Sequence, residues 1–534
     1  MPTLPAAAAF FVPELPGLTP AAPGRGFVTE AGHLPARPPA GADGAPADNA
    51  HLYFLLQRAM HRPRRRKLVV WLNGGPGCSS FDGSMMEIGA WRVTAQGNLS
   101  WSPRGSAWNE WADVLYLDQP VGTGFSFVEN DAYARSMAQV ADEVVYFLEQ
   151  LVGVFPDAGQ YIPYVAHALL ARGNQAPVHL AGIAIGNGYI DPVTQSGSEV
   201  DMMVESGRWQ RGGPEVDALR PVVAACRAAL AQDAVPRLEY PACDRILRKI
   251  LDITTVRQDG TPYCMNAYDM RLVDTSPACG LNWPSELAPL YTYLHNATVL
   301  RALHVNQQKK PTAWVECNMS VGAPLHANAS AMNASVTLLP SILDAHIPVL
   351  LFAGDRDLIC NHRGLQRLID QLTWGGARGL GPAQKHAWTV NARTVGQWQS
   401  ARNLTWVTLN NASHMPAYDE PLAAHDMMLR FMDVEATWPP GRGAVGNRTR
   451  VVVAGDAGDT SAHASASASA QPTLTPVPPQ VPPPPATDLY GNMFVLALIV
   501  LAVGMCVYMR RRARRPAFSS YHAIECGMGW EKRA

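Results

Sequence analysis

The chain has 534 residues, with 43 Lys and Arg against 44 Asp and Glu, for a formal net charge of −1. That balance carries no electrostatic footprint for nucleic acid. Nine cysteines are too few for a small disulfide scaffold but enough to staple one large secreted domain with appendages.

Residues 1–48 are rich in Pro, Ala and Gly and read as an irregular N-terminal segment. The opening "MPTLPAAAAFFVPELPGL" has no basic residue and carries prolines on both sides of its apolar run, unlike a signal peptide. Later features require translocation, so the true start is expected upstream. The composition from 49 to 438 is globular. "HRPRRRK" (61–67) reads as a solvated hairpin loop, and "KLVVWLNGG" (67–75) and "ADVLYLDQP" (112–120) as buried strands running into turns.

Val140, Val144, Phe147, Leu148 and Leu151 share one face of a helix over 132–154, and Ile162, Val165, Leu169 and Leu170 one over 161–171. Almost nothing separates these helices, although the surrounding alternation predicts a strand there. "VHLAGIAIGNG" (178–188), "IPVLLFAGDRD" (347–357) and "LTWVTLNNASH" (404–414) are further strands. A mostly parallel sheet with helices on both faces is the expected architecture. Between about 199 and 340 the alternation stops, and Cys226, Cys243, Cys264 and Cys279 cluster in what reads as an inserted cap.

Residues 439–488 contain "SAHASASASAQPTLTPVPPQVPPPP", a Pro/Ser/Ala-rich lumenal stalk. The segment 489–509 has no charged residue and, as a helix, spans roughly the 30 Å of a bilayer core. "RRRARR" follows and places the tail, 510–534, in the cytosol. The expectation is a single-pass type I membrane protein. Its lumenal side holds eight N-glycosylation sequons, at Asn98, Asn296, Asn318, Asn328, Asn333, Asn403, Asn411 and Asn447.

Open α/β sheets bind ligands at the carboxyl ends of their strands. After the first predicted strand, the backbone N–H groups of Asn73, Gly74 and Gly75 can face an oxyanion. Asp355 and His414 each follow a later strand, in the order of the last two members of a Ser, Asp, His triad. Asp357 is equally eligible on spacing. No G-x-S-x-G turn exists in the chain. Ser79, Ser80 and Ser126 lie outside such a turn, and "GIAIG" (182–186) has Ala184 at its centre.

"WLNGGPGCSS" (71–80), "DQPVGTGFS" (118–126), "GIAIGNGYIDP" (182–192), "AGDRDLICN" (353–361) and "NASHM" (411–415) together closely resemble the serine carboxypeptidases, over roughly 50–435. The anchor and stalk favour the Kex-type pheromone-processing carboxypeptidases of the fungal Golgi over the soluble vacuolar carboxypeptidase Y. The resemblance implies an α/β-hydrolase fold and a cofactor-free, metal-free hydrolase. That enzyme would remove C-terminal Lys or Arg from prohormone or pheromone precursors in the trans-Golgi network.

Position by position, the resemblance makes Asp355 and His414 triad partners and Gly74 and Gly75 the oxyanion hole. Asn73 and Glu87 would bind the substrate carboxylate. A Glu can donate to a carboxylate only when protonated. The family meets this with a carboxyl pair whose pKa rises by burial and like charge, which favours acidic pH. Cys78 would pair with Cys317, the four cap cysteines would pair among themselves, and Cys360 would remain free. "AGQYIPYVA" (158–166) matches the end of the family's nucleophile elbow. The preceding strand and the G-E-S-Y are missing between Asp157 and Ala158, a loss on the order of a dozen residues. The chain as written would lack its nucleophile. The alternatives are a non-catalytic lumenal peptide-binding protein and a vacuolar carboxypeptidase Y-like enzyme.

Overall fold

A computed structural model describes residues 4–20, 26–38, 49–61, 67–155, 162–310 and 313–434. The predicted stalk, membrane span, cytosolic tail, Asn447 and the join at Asp157/Ala158 lie outside them. Among the described residues, no helix is long and apolar enough to cross a membrane.

Two sheets carry the fold. The first orders β1 (Thr29–Pro35), β2 (His51–Gln57), β4 (Asp113–Asp118) and β3 (Leu68–Trp71), with β3 parallel to β4 and the other pairs antiparallel. The second orders β7 (His386–Val390), β8 (Arg393–Ala401), β9 (Leu404–Leu409), β6 (Val349–Gly354) and β5 (Ile183–Gly186). Its last three strands run parallel and its hairpin β7–β8–β9 is antiparallel. The expected mostly parallel sheet is therefore mixed. Parallel strands occupy the middle, where β4 and β6 are buried along their whole length and read as continuous apolar runs.

The N-terminal segment is not irregular throughout. β1 pairs with β2 over seven residues, and Phe10, Val12 and Leu15 are buried. Glu30, Gly32 and His33 break the apolar alternation that marks a strand, which hid β1 in the sequence. The strands on either side of 61–67 are not paired with each other, because β4 lies between β2 and β3, and residues 62–66 of the expected hairpin loop lie outside the described residues.

Helix α1 (Met137–Val154) starts where the Ser136 hydroxyl accepts from the Gln139 N–H at 3.1 Å, a side-chain cap. The cap explains why the helix begins later than residue 132. Its apolar stripe, including Val144, Phe147, Leu148 and Leu151, packs with Phe54, Leu56 and Leu115 of the first sheet. Each such buried side chain contributes about 1.5–3 kcal/mol, so Leu148→Ala would loosen this layer most directly. α2 (Pro163–Arg172) opens on Pro163, which is tolerated at a first helical turn. The strand expected between α1 and α2 falls on residues 156–161, outside the described residues.

Within the predicted cap, α3 (Ser198–Glu205), α4 (Pro214–Leu230) and α5 (Pro241–Ile253) share a small core around Met203, Leu219, Ile246 and Ile250. The later helix α6 (Leu287–Leu294) packs instead into the main core with Trp91 and Trp314. α7 (His362–Gln371) and α8 (Pro421–Phe431) complete the layers, packed into separate cores.

Disulfides join Cys78 to Cys317, Cys226 to Cys243 and Cys264 to Cys279, and Cys360 is a free thiol. Among the described residues no strand bonds β3 to β5, so the two sheets end on facing edges.

Candidate active site

The carboxyl ends of β3, β5, β6 and β9 converge on one cavity of 1730 Å³. After β3, Trp71 Nε1 donates to Asn73 Oδ1 at 2.6 Å, and Asn73 Nδ2 donates to Asp82 Oδ2 at 3.0 Å. Gly83 makes this possible, since a Cβ there would sit 2.0 Å from Trp71 Nε1. Asn73 is thus oriented by an indole on one side and a carboxyl on the other. Gly74 and Gly75 follow at the cavity wall, and Gly75 has φ +131°, a conformation suited to glycine.

After β9, His414 Nδ1 meets Asp357 Oδ2 at 2.8 Å. Asn187 Nδ2 donates to the same oxygen at 2.7 Å, and the Ile359 N–H donates to Oδ1 at 3.1 Å. These bonds hold Asp357, whose side chain is fully buried. Burial opposes a charge on His414, but the Asp357 carboxylate outweighs it and raises the imidazole pKa, with Glu87 adding to the effect.

Asp355 is elsewhere. Its Oδ1 accepts from the Ala412 N–H at 3.3 Å and lies 3.4 Å from Arg356 Nε. This corrects the assignment of Asp355 as the imidazole's partner. Successive residues leaving a strand diverge, and only the second Asp of "GDRD" turns inward to His414.

Glu87 is buried beneath the same site, and desolvation pushes its carboxyl up to about 7, against the pull of His414 and Arg92. A protonated Glu87 can donate a hydrogen bond to a carboxylate. Two acidic groups not anticipated from the sequence stand nearby. Asp82 is 5% exposed, with Oδ1 buried and without a partner. Burial, then Glu316 and Glu87, raise its pKa. Burial also pushes Glu316 up to about 7. The Cys78–Cys317 disulfide and the Ser79 N–H bond to Glu316 O, at 2.7 Å, bring Glu316 across 239 residues to this position. The available signals were Asp82 two residues after "CSS" and Glu316 directly before the cysteine paired with Cys78.

The three serines of the matched motifs serve the scaffold. Ser79 Oγ donates to Asp118 Oδ1 at 2.7 Å, Ser80 Oγ to Leu117 O at 2.8 Å and Ser126 Oγ to Asp118 O at 2.5 Å. All three are buried. Cys360 Sγ, an Asp357 oxygen and a His414 nitrogen lie within 4.8 Å of one another, but burial raises the thiol pKa well above its ordinary value. A neutral thiol is a poor nucleophile.

Of the described sequons, Asn98, Asn296, Asn328, Asn333 and Asn411 are exposed, whereas Asn318 and Asn403 are half-buried. The Asn318 side chain both accepts from the Ser320 N–H and donates to Gly122 O.

Residues 23–434 match the family model described as serine carboxypeptidase. The chain is 37% identical over 536 residues to a pheromone-processing carboxypeptidase KEX1 of Coprinopsis cinerea, covering 96% of this chain and 84% of that protein. It is 41% identical over 450 residues to the Chaetomium globosum protein of the same name, covering 80% and 67%. The crystal structure of a Saccharomyces cerevisiae prohormone-processing carboxypeptidase, Kex1ΔP, superposes with a TM-score of 0.73 at 31% identity. That match covers 83% of this chain and 99% of the other, and it shows the α/β-hydrolase-like fold. The chain belongs to the serine carboxypeptidase family, among the pheromone-processing carboxypeptidases.

Proposed function

We propose that this locus encodes a serine-type carboxypeptidase that removes C-terminal Lys or Arg from precursor peptides, and that the chain as written is inactive because its nucleophile elbow is missing. The observation that carries the reading is the common cavity of His414, Asn73, Glu87, Asp82 and Glu316, with Asp357 bonded to His414 behind it. His414, held by Asp357, would act as general base and acid, and Gly74 and Gly75 would supply oxyanion donors. Asn73 and a protonated Glu87 would bind the terminal carboxylate. The Asp82 and Glu316 pair would receive the ammonium or guanidinium group of the last residue, since a desolvated cation needs a paired carboxylate. His414, Asn73, Glu87, Asp82 and Glu316 belong to one globular domain, which takes in β1 and the buried Phe10, Val12 and Leu15 ahead of the expected start at 49, ends by about 438 and carries a cap at about 199–340. That domain would be held on a stalk at 439–488 by a single span at 489–509, inside the late secretory pathway.

The peptide-binding alternative is favoured for this chain by one observation. Ser79, Ser80 and Ser126 are all committed to scaffold bonds, leaving recognition groups without a nucleophile from these motifs.

Release of Lys or Arg from a peptide should be absent in the purified chain. Insertion of a strand and G-E-S-Y segment between Asp157 and Ala158 should produce it, with preference over a C-terminal Leu. Sequencing the locus around codons 155–160 provides the second check, because an in-frame segment there would encode the elbow. Turnover by the chain as written, blocked by an active-site serine reagent, would overturn the inactive reading.

A further inference from the structure

Cap residues 266–271 lie across both turns that carry the imidazole pair. On one side the Met270 N–H donates to Arg356 O at 3.0 Å. The Leu358 and Ile359 N–H groups donate to Ala267 O at 3.2 and 3.1 Å, so this strap brackets Asp357 from before and after. On the other side the His414 N–H donates to Tyr268 O at 2.8 Å, and the two rings pack 5.2 Å apart. The Cys264–Cys279 disulfide and the Ala267 N–H bond to Cys279 O, at 2.9 Å, close the loop that holds the strap.

Arg271 ends the strap and spreads its guanidinium over three partners. Nε and Nη2 donate to Asp269 Oδ1 and Oδ2 at 2.8 and 2.7 Å, and Asp269 is buried. Nη2 also donates to Asp419 Oδ1 at 3.0 Å, and Nη1 to Asn411 O at 2.8 Å. Asp419 in turn accepts through Oδ2 from the Ser413 N–H at 2.7 Å and from the Ser413 hydroxyl. Asn411, Ser413 and Asp419 flank His414 on both sides, and Arg271 ties them to the cap directly or through Asp419. The backbone bonds from Asp355 N–H to Leu409 O and from Arg356 N–H to Ala412 O also join the two turns, but both lie before Ser413. A planar fork of donors suits this grip, and a lysine ammonium offers only a point charge.

We propose that Arg271 is a positioning residue for the imidazole pair: its guanidinium fixes the turn 411–419 to the cap and so holds His414 at 2.8 Å from Asp357. It acts through the backbone of the turn rather than on the ring. Only the catalytic consequence rests on the function proposed above; the placement of the pair does not.

Arg271→Lys in the full chain tests this, because it keeps the cation beside Asp269 and removes the fork. Diethyl pyrocarbonate acylates an unprotonated imidazole, and the His414 side chain is 30% exposed. The pH midpoint of His414 modification, read by mass spectrometry, therefore reports how well Asp357 holds the charged ring. Asp357 and Glu87, the charges that favour the protonated ring, are untouched by the substitution. The midpoint should fall, in the direction of an Asp357→Asn control and by less. With Asp357→Asn already in place, Arg271→Lys should give no further fall. A midpoint unmoved by Arg271→Lys, or falling equally with and without Asp357, overturns the proposal and leaves Arg271 a stabilising ion pair. If that variant does not fold, Asp419→Ala cuts the same grip at its outer end and is judged by the same pair of backgrounds. In a chain carrying the inserted elbow, Arg271→Lys should lower kcat about tenfold or more with KM little changed. An unchanged kcat there also overturns the proposal, whereas an elbow-bearing parent without turnover counts against the proposed function alone.

Discussion

His414 Nδ1 lies 2.8 Å from Asp357 Oδ2, while Asp355, two residues earlier, accepts from the Ala412 N–H. The two acids of one short turn therefore have separate duties. Asp357 stabilises the charged imidazole, and Asp355 ties the ends of β6 and β9 together.

Replacing Asp357 with Asn keeps the shape but removes the charge that raises the His414 pKa. The ring should then titrate lower, because burial acts unopposed on that side. Asp355→Asn should leave the titration nearly unchanged and lower thermal stability modestly. Ring-proton chemical shifts followed by NMR across pH 4–9 distinguish the two variants. An equal drop in both would refute the separate roles.

Among the described residues the outer edges of β3 and β5 have no strand partner, and since alternate residues of a parallel strand send their N–H groups to opposite sides, a specific pattern of amide exchange is expected. Leu68, Val70, Ala184 and Gly186 face the cavity, whereas Val69, Ile183 and Ile185 serve the existing ladders. Exchange should alternate along each strand, with the first group faster by about tenfold or more. Uniform protection would mean that another segment covers these edges.

Much of this architecture was legible in the sequence. Continuous apolar runs gave β4 and β6 because both are buried on two faces, and the capping serine at 136 explains where α1 begins. β1 was hidden because Glu30, Gly32 and His33 interrupt its pattern, although β2 pairs with it throughout. At the site, Asn73, Glu87 and His414 were found from motif words. Asp357 could not be separated from Asp355, since choosing between them requires the direction in which the chain leaves β6. Glu316 was marked only by its place before Cys317, because its approach to Asp82 depends on a disulfide across 239 residues, a relationship no local pattern encodes.

That disulfide gives a third prediction. Removing it as the pair Cys78→Ala and Cys317→Ala should destabilise the fold by about 2–4 kcal/mol, given the long loop it closes. It should also weaken binding of peptides ending in Arg, because Glu316 is carried by this crosslink. The pair Cys226→Ala and Cys243→Ala, separated by 17 residues, should affect stability in the α3–α5 region without changing Arg preference. Equal binding losses in both double variants would show that the crosslink has no special part in placing Glu316.

Glu87 makes stability depend on pH in a predictable direction. Burial raises its carboxyl to about 7 from the ordinary 4.5, so between these values the folded state holds a proton that the unfolded state has lost. Stability contributed by this group must therefore fall as pH rises from about 4.5 through 7, by about 3 kcal/mol in all. Glu87→Gln stays neutral at every pH, so the variant should match the parent near pH 4 and exceed it by about that amount near pH 8. Half-buried His33 and His362, lowered to about 3 and 4 by desolvation, act oppositely, since their contribution is lost as pH falls below about 6.5. They are common to both proteins and cancel in the difference. Urea unfolding at pH 4.5, 6 and 8 measures that difference directly. Parallel stability curves would mean that Glu87 is ionised in the folded state and cannot donate a hydrogen bond to a substrate carboxylate.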